Sequence, residues 1–62
     1  MTVEEAKKLN KGDYILYNNK RYKVLNTQER RRADNNEIYV SIKCIHITST
    51  LWLPNSFAEV IE

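Results

Sequence analysis

Apolar residues recur along this chain with two different periods. Val3, Ala6 and Leu9 are three apart, the interval that lines one face of a helix. Thr2 stands ahead of them and Glu5 follows three residues later, which is the spacing of a capping box. A short helix over about residues 3 to 9 is therefore predicted. Lys11-Gly12-Asp13 ends it, and the only glycine of the chain falls where the backbone must turn sharply into a strand.

Beyond that turn the period becomes two. Asp13 to Tyr17 and Lys20 to Asn26 read as strands joined by Asn18-Asn19, a pair that tolerates the left-handed conformation of a two-residue hairpin. Tyr22 and Val24 alternate with Arg21, Lys23 and Leu25, so one face of the second strand is basic apart from Leu25. TQERRRADNN, residues 27 to 36, has no apolar periodicity and is predicted to be a mobile loop.

Glu37 to Cys44 gives the clearest alternation, with Ile38, Val40, Ile42 and Cys44 on one face and Tyr39, Ser41 and Lys43 on the other. Ile45 and Ile47 then occupy the alternate phase, which predicts a bulge or bend after Cys44. Thr48-Ser49-Thr50 is predicted as a turn, Leu51 to Leu53 as a fourth strand and Glu59 to Ile61 as a fifth. Pro54 cannot donate to a ladder and ends the fourth strand, and Asn55 to Ala58 should form one 3₁₀ turn capped by Ser56.

LWLPNSFAEVI, residues 51 to 61, is similar to the end of Src-homology-3 (SH3) domains, where a strand, Pro, a 3₁₀ turn with an aromatic and a final strand follow one another. The expected fold class is mainly β: one five-stranded SH3-like barrel over residues 1–62, with a short N-terminal helix and a 3₁₀ turn before the last strand. Phe57 is expected to plug the barrel's end. SH3 domains that hold proline-rich peptides use a long acidic first loop and aromatic rungs. The corresponding loop here is Asn18-Asn19, without an acid.

KLNKGDYILYNNKRYKVL, residues 8 to 25, resembles the opening of the first domain of elongation factor P and its eukaryotic and archaeal counterpart, an SH3-like barrel of the KOW-like kind. YVSIKCIHI and LPNSFAEV fit the same layout. In that family the loop between the second and third strands presents a modified lysine to the ribosome. The matching segment here, QERRRADNN, has no lysine and no glycine, and these 62 residues are expected to form one barrel where the family has three. The resemblance implies shared architecture rather than a translation factor's role.

Size and composition narrow the function. The chain has 62 residues, 42% apolar and 29% charged, which fits one globular unit that hides only about 60% of its unfolded surface. No apolar run approaches the roughly 18 residues of a membrane span, and MTVEEAKKLN places acids where a signal peptide would carry basic residues. The expected location is cytoplasmic, with no membrane partner.

Net charge is only +2 but is unevenly spread: residues 1–17 balance, residues 18–32 carry +5 and residues 33–62 carry −3. His46 is the single histidine, and neither a glycine-rich phosphate loop nor a metal-ligand spacing occurs. No catalysis, cofactor, metal or small-molecule substrate is expected. His46 reads as a sheet residue with a satisfied hydrogen bond, and Cys44, the lone cysteine, as a buried thiol.

The basic block is the sharpest feature. Arg30, Arg31 and Arg32 on a loop, with Lys20, Arg21 and Lys23 from the adjoining hairpin, can pair with phosphates and release counterions. The plainer reading is a solvated loop kept soluble by its charges. Strand parity sets Tyr39 and Trp52 outward, and Tyr39 beside the arginines could stack on a base. Small domains seldom expose tryptophan, so core packing is the expectation for Trp52. The functional expectation is a noncatalytic module contacting RNA or DNA backbone. The alternative is a protein-interaction barrel using an edge strand or the Tyr39/Trp52 surface.

Overall fold

A computed structural model describes residues 1–61. The helix α1 (Val3–Lys7) precedes the strands β1 (Tyr14–Tyr17), β2 (Lys20–Arg31), β3 (Ile38–His46), β4 (Ser49–Pro54) and β5 (Glu59–Val60), with a 3₁₀ turn over Asn55–Phe57. All neighbouring strands pair antiparallel in one sheet of order β4-β3-β2-β1-β5. The fold is thus mainly β, with an open sheet whose edges are β4 and β5. Among the described residues no helix is long and apolar enough to cross a membrane.

The capping box forms as its spacing requires. Thr2 Oγ1 accepts from the Glu5 amide at 3.2 Å, and Glu5 Oε1 accepts from the Thr2 amide at 2.8 Å. These bonds to Thr2 hold the Glu5 carboxyl below the usual carboxylate range. The helix stops at Lys7 rather than at residue 9, because the Lys8 and Leu9 amides already make tighter bonds, to Glu5 and Ala6. Leu9 still packs against the core, and Ala6 is fully buried where α1 lies over β3 and the 3₁₀ turn.

At the β1–β2 hairpin, Asn18 and Asn19 adopt φ values of 53° and 62°, the left-handed pair that lets two residues reverse a twisted ribbon. Gly12, at φ 99°, donates its amide to the Val24 carbonyl at 2.9 Å, and the Val24 amide donates to Asp13 at 2.7 Å. The turn after α1 thereby extends the β1–β2 ladder. The inner sheet face carries the buried Ile15, Tyr22, Val24, Val40, Ile42, Cys44 and Leu53.

Three expectations about the strands are corrected. First, β2 continues to Arg31, so most of the predicted loop is strand: Glu29 pairs with Val40, Arg30 with Tyr39 and Arg31 with Ile38. This ribbon outruns the core, and ladder bonds alone do not require apolar alternation. Arg32 donates to the Glu37 carbonyl at 2.8 Å, and Asn36, at φ 58°, donates to Arg32 at 3.0 Å, closing the short connection.

Second, the bulge lies in β2 rather than after Cys44. Val24 pairs with Cys44 and Asn26 with Lys43, leaving Leu25 as the extra residue. Third, β3 keeps its parity through His46, because Ile47 is a turn residue at φ 59° and 84% exposed. Ser49 and Thr50 therefore belong to β4, opposite His46 and Ile45.

The closing segment is built around Asn55, which is buried. Where β4 leaves β3 at the Ser41–Pro54 pair, Asn55 Oδ1 accepts from the Val40 amide at 3.0 Å, and its Nδ2 donates to the Met1 carbonyl at 3.0 Å. Ser56, expected to cap the turn, is exposed, and the turn has no side-chain cap. Phe57, expected as a plug, is 60% exposed. In a three-residue turn, Asn55 and Ala58 share the inward side and leave Ser56 and Phe57 outside.

Candidate nucleic-acid interface

The six basic residues singled out by sequence do not form one cluster. Arg21 and Arg31 are ten residues apart on β2, about 33 Å at about 3.3 Å per residue. They also differ in facing. Lys20 pairs with Tyr17, and Arg31 with Ile38, on the parity of the inner face, whereas Arg21, Lys23 and Arg30 share the outer parity. Arg32 lies in the connection and pairs with Asp34 at 3.3 Å.

The Leu25 bulge decides which arginine joins the outer face. Uninterrupted alternation from Arg21 and Lys23 would continue through Leu25, Thr27, Glu29 and Arg31. With Leu25 extra, the outer row continues as Asn26, Gln28 and Arg30. The register then sets Lys43 opposite Asn26 and Trp52, and Tyr39 opposite Arg30. On the other side Tyr14 is opposite Lys23.

The resulting outer parity carries Arg30, Lys43, Tyr39 and Trp52 towards one end of β2 and Arg21, Lys23 and Tyr14 towards the other. Glu59, opposite Leu16 on the β5 edge, is the only carboxylate among the described strand residues of this parity. Trp52 is 44% exposed, correcting the expectation of core packing: Leu53 takes the inward position on β4, so its neighbour faces out.

Two arginine–aromatic contacts order this surface. The Arg30 guanidinium lies 5.9 Å from the Trp52 ring centroid and donates to Gln28 Oε1 at 2.8 Å. The Arg21 guanidinium lies 5.9 Å from the Tyr14 ring centroid. Contacts of this kind at exposed sites are worth about 0.5–1 kcal/mol each. Their larger effect is positional, since they hold a cation beside an aromatic plane.

At the Tyr39 end, an open groove of about 510 Å³ is lined by Tyr39, Pro54, Arg31, Arg32, Asp34 and Ser56. The hydrogen bond from Arg32 holds the Asp34 carboxyl below its usual range, so it stays ionised at neutral pH. Arg31 has no carboxylate partner among the described residues. Glu29, on the inner parity, is occupied by Lys7 at 2.9 Å, and that bond holds the lysine's pKa above its usual value.

The sequence pointed to Arg21, Lys23, Arg30 and Tyr39 but not to Tyr14 or Lys43, and for Trp52 its strand parity pointed outward while its packing expectation pointed inward. Alternation already set Lys43 with Tyr39, and that was the available signal. Elsewhere, His46 Nδ1 lies 3.0 Å from the Arg21 carbonyl and the ring packs on Tyr22. Cys44 is fully buried, and burial pushes its thiol pKa up. No group of three metal-ligating side chains occurs among the described residues. Comparison of the chain with protein-family models, with curated proteins and with solved structures finds no match.

Proposed function

We propose that this protein is a noncatalytic module that binds RNA or DNA through the outer face of its sheet. The observation that carries this reading is one sheet parity that holds four cations and three aromatics, two of the rings contacted by arginines, with its only carboxylate among the described strand residues at an edge. Cations neutralise phosphates and release counterions, and exposed rings stack on bases regardless of sequence. Arg30 and Lys43 are the central cations, Trp52 and Tyr39 the central rings. Lys20 lies off the face and contributes least, while Arg31 and Arg32 border its Tyr39 end through the adjoining groove.

The test is oligonucleotide binding measured across salt concentrations. Affinity should fall as salt rises, and Lys43→Ala should lower it and flatten the slope by about 0.7 for a single strand, one phosphate's share. Lys20→Ala should change little. Unchanged amide spectra on adding mixed-sequence RNA and DNA at low salt would sink the proposal.

A protein partner is the second reading, favoured by the free β4 edge that carries Trp52 and lies next to the exposed Ile47. It requires binding that survives high salt and fails on Trp52→Ala in a folded variant. The finer architecture, an SH3-like and KOW-like barrel, is supported by the strand order and by the 3₁₀ turn directly before β5. A cytoplasmic location belongs to the same proposal.

A further inference from the structure

We infer that the ligand is single-stranded RNA, and that the groove beside Tyr39 holds one of its nucleotides while Trp52 stacks another of its bases. This inference rests on the nucleic-acid reading and narrows it. A duplex keeps the faces of its bases inside the stack, so a sheet whose rings lie on its surface gains stacking energy only from unpaired bases. Trp52 and Tyr39 share a parity, Trp52 lying opposite Lys43, four β3 positions beyond Tyr39, with Arg30 reaching the indole from the β2 position opposite Tyr39.

The groove lining sorts by chemistry into the parts of a ribonucleotide. The Tyr39 ring and Pro54 offer an apolar platform for a base. Arg31, without a carboxylate partner among the described residues, and Arg32 offer guanidiniums to a phosphate. About 510 Å³ is room for one nucleotide-sized ligand. Asp34 is the informative member: its Oδ1 accepts from Arg32, which offsets its charge, and a carboxylate can accept further hydrogen bonds from a ligand. The ribose 2′-hydroxyl is a donor that RNA has and DNA lacks. Ser56, also in the lining, can share that contact.

Three hexamers distinguish the outcomes: a single-stranded uridine RNA, the matching deoxyuridine DNA, and a blunt RNA duplex of mixed sequence. Binding is read by quenching of Trp52, the only tryptophan, at low salt and confirmed by amide shifts. The RNA strand should bind on the order of tenfold more tightly than the duplex, the scale of one stacked base. It should also bind several-fold more tightly than the DNA strand. Tyr39→Ala should lose on the order of tenfold while Tyr39→Phe retains affinity, which separates stacking from a folding defect. Asp34→Ala should erase the RNA-over-DNA preference without weakening DNA binding. Equal binding of strand and duplex, or an unchanged RNA-to-DNA ratio in Asp34→Ala, would overturn the inference and leave the nucleic-acid reading standing. Binding of none of the three would remove both.

Discussion

The two faces of the sheet are built from the same strands but obey different rules. On the inner face, Ile15, Val24, Val40, Ile42 and Cys44 are almost wholly buried beneath α1 and the closing segment. On the outer face the same strands present Arg21, Lys23, Arg30, Lys43, Tyr14 and Trp52, with the Tyr14 and Trp52 rings about half exposed. The inner face therefore sets stability and the outer face is free to set binding. A single extra residue, Leu25, couples them, because it turns Thr27 and Glu29 to the inner parity and returns Arg30 to the outer row.

The largest expected effect lies on the inner face. Ile42→Ala should destabilise by about 2–5 kcal/mol, the range for truncating a buried aliphatic side chain, and in so small a domain that can unfold the chain. Lys43→Ala, one residue away on the other face, should move stability by no more than about 0.5 kcal/mol. Urea titrations of both variants check the contrast. Similar losses would break the two-face account.

Asn55→Ala should come next, at about 1–3 kcal/mol, because it leaves the Val40 amide without its acceptor and removes the tie to Met1. Hydrogen exchange at Val40 should then accelerate more than at Ile42. In the opposite direction, Ile47→Asn should stabilise by about 1 kcal/mol, since a β-branched residue at φ 59° carries backbone strain and this one buries almost nothing. A thermal melt that falls instead would assign Ile47 a packing role.

The smallest effect is a pH dependence at α1. Hydrogen bonds to Thr2 lower the Glu5 pKa in the fold, so the contribution of the cap is present above the ordinary carboxylate range and is lost as pH falls through the lowered value. Glu5→Gln should flatten the acid limb of the stability curve slightly. An unchanged limb would assign the helix start to packing of Ala6 alone.

Much of the inner face was legible because burial imposes alternation: Val40, Ile42 and Cys44 announce a strand, and Asn18-Asn19 announces its own turn geometry. The outer face was legible only in part. The Gln28 to Arg31 segment pairs through backbone groups, which leave no mark on side-chain pattern. The Leu25 bulge is set by pairing with β3, so nothing local in Lys23-Val24-Leu25-Asn26 reveals it. Asn55 reads as a turn former, yet its value lies in reaching a β3 amide fifteen residues away. Tertiary context likewise decided that Ala58, rather than Phe57, enters the core.

The most direct test of the central claim is an amide and side-chain chemical-shift map of the labelled protein titrated with the uridine hexamer at low salt. Shifts should concentrate at Arg30, Tyr39, Lys43 and the Trp52 indole and at Arg31, Arg32 and Asp34 of the groove, with weaker ones at Tyr14, Arg21 and Lys23 and none centred on Lys7, Glu29 or the 3₁₀ turn beyond Ser56. Shifts centred on α1, Lys7 and Glu29, or no shifts at all, would contradict it.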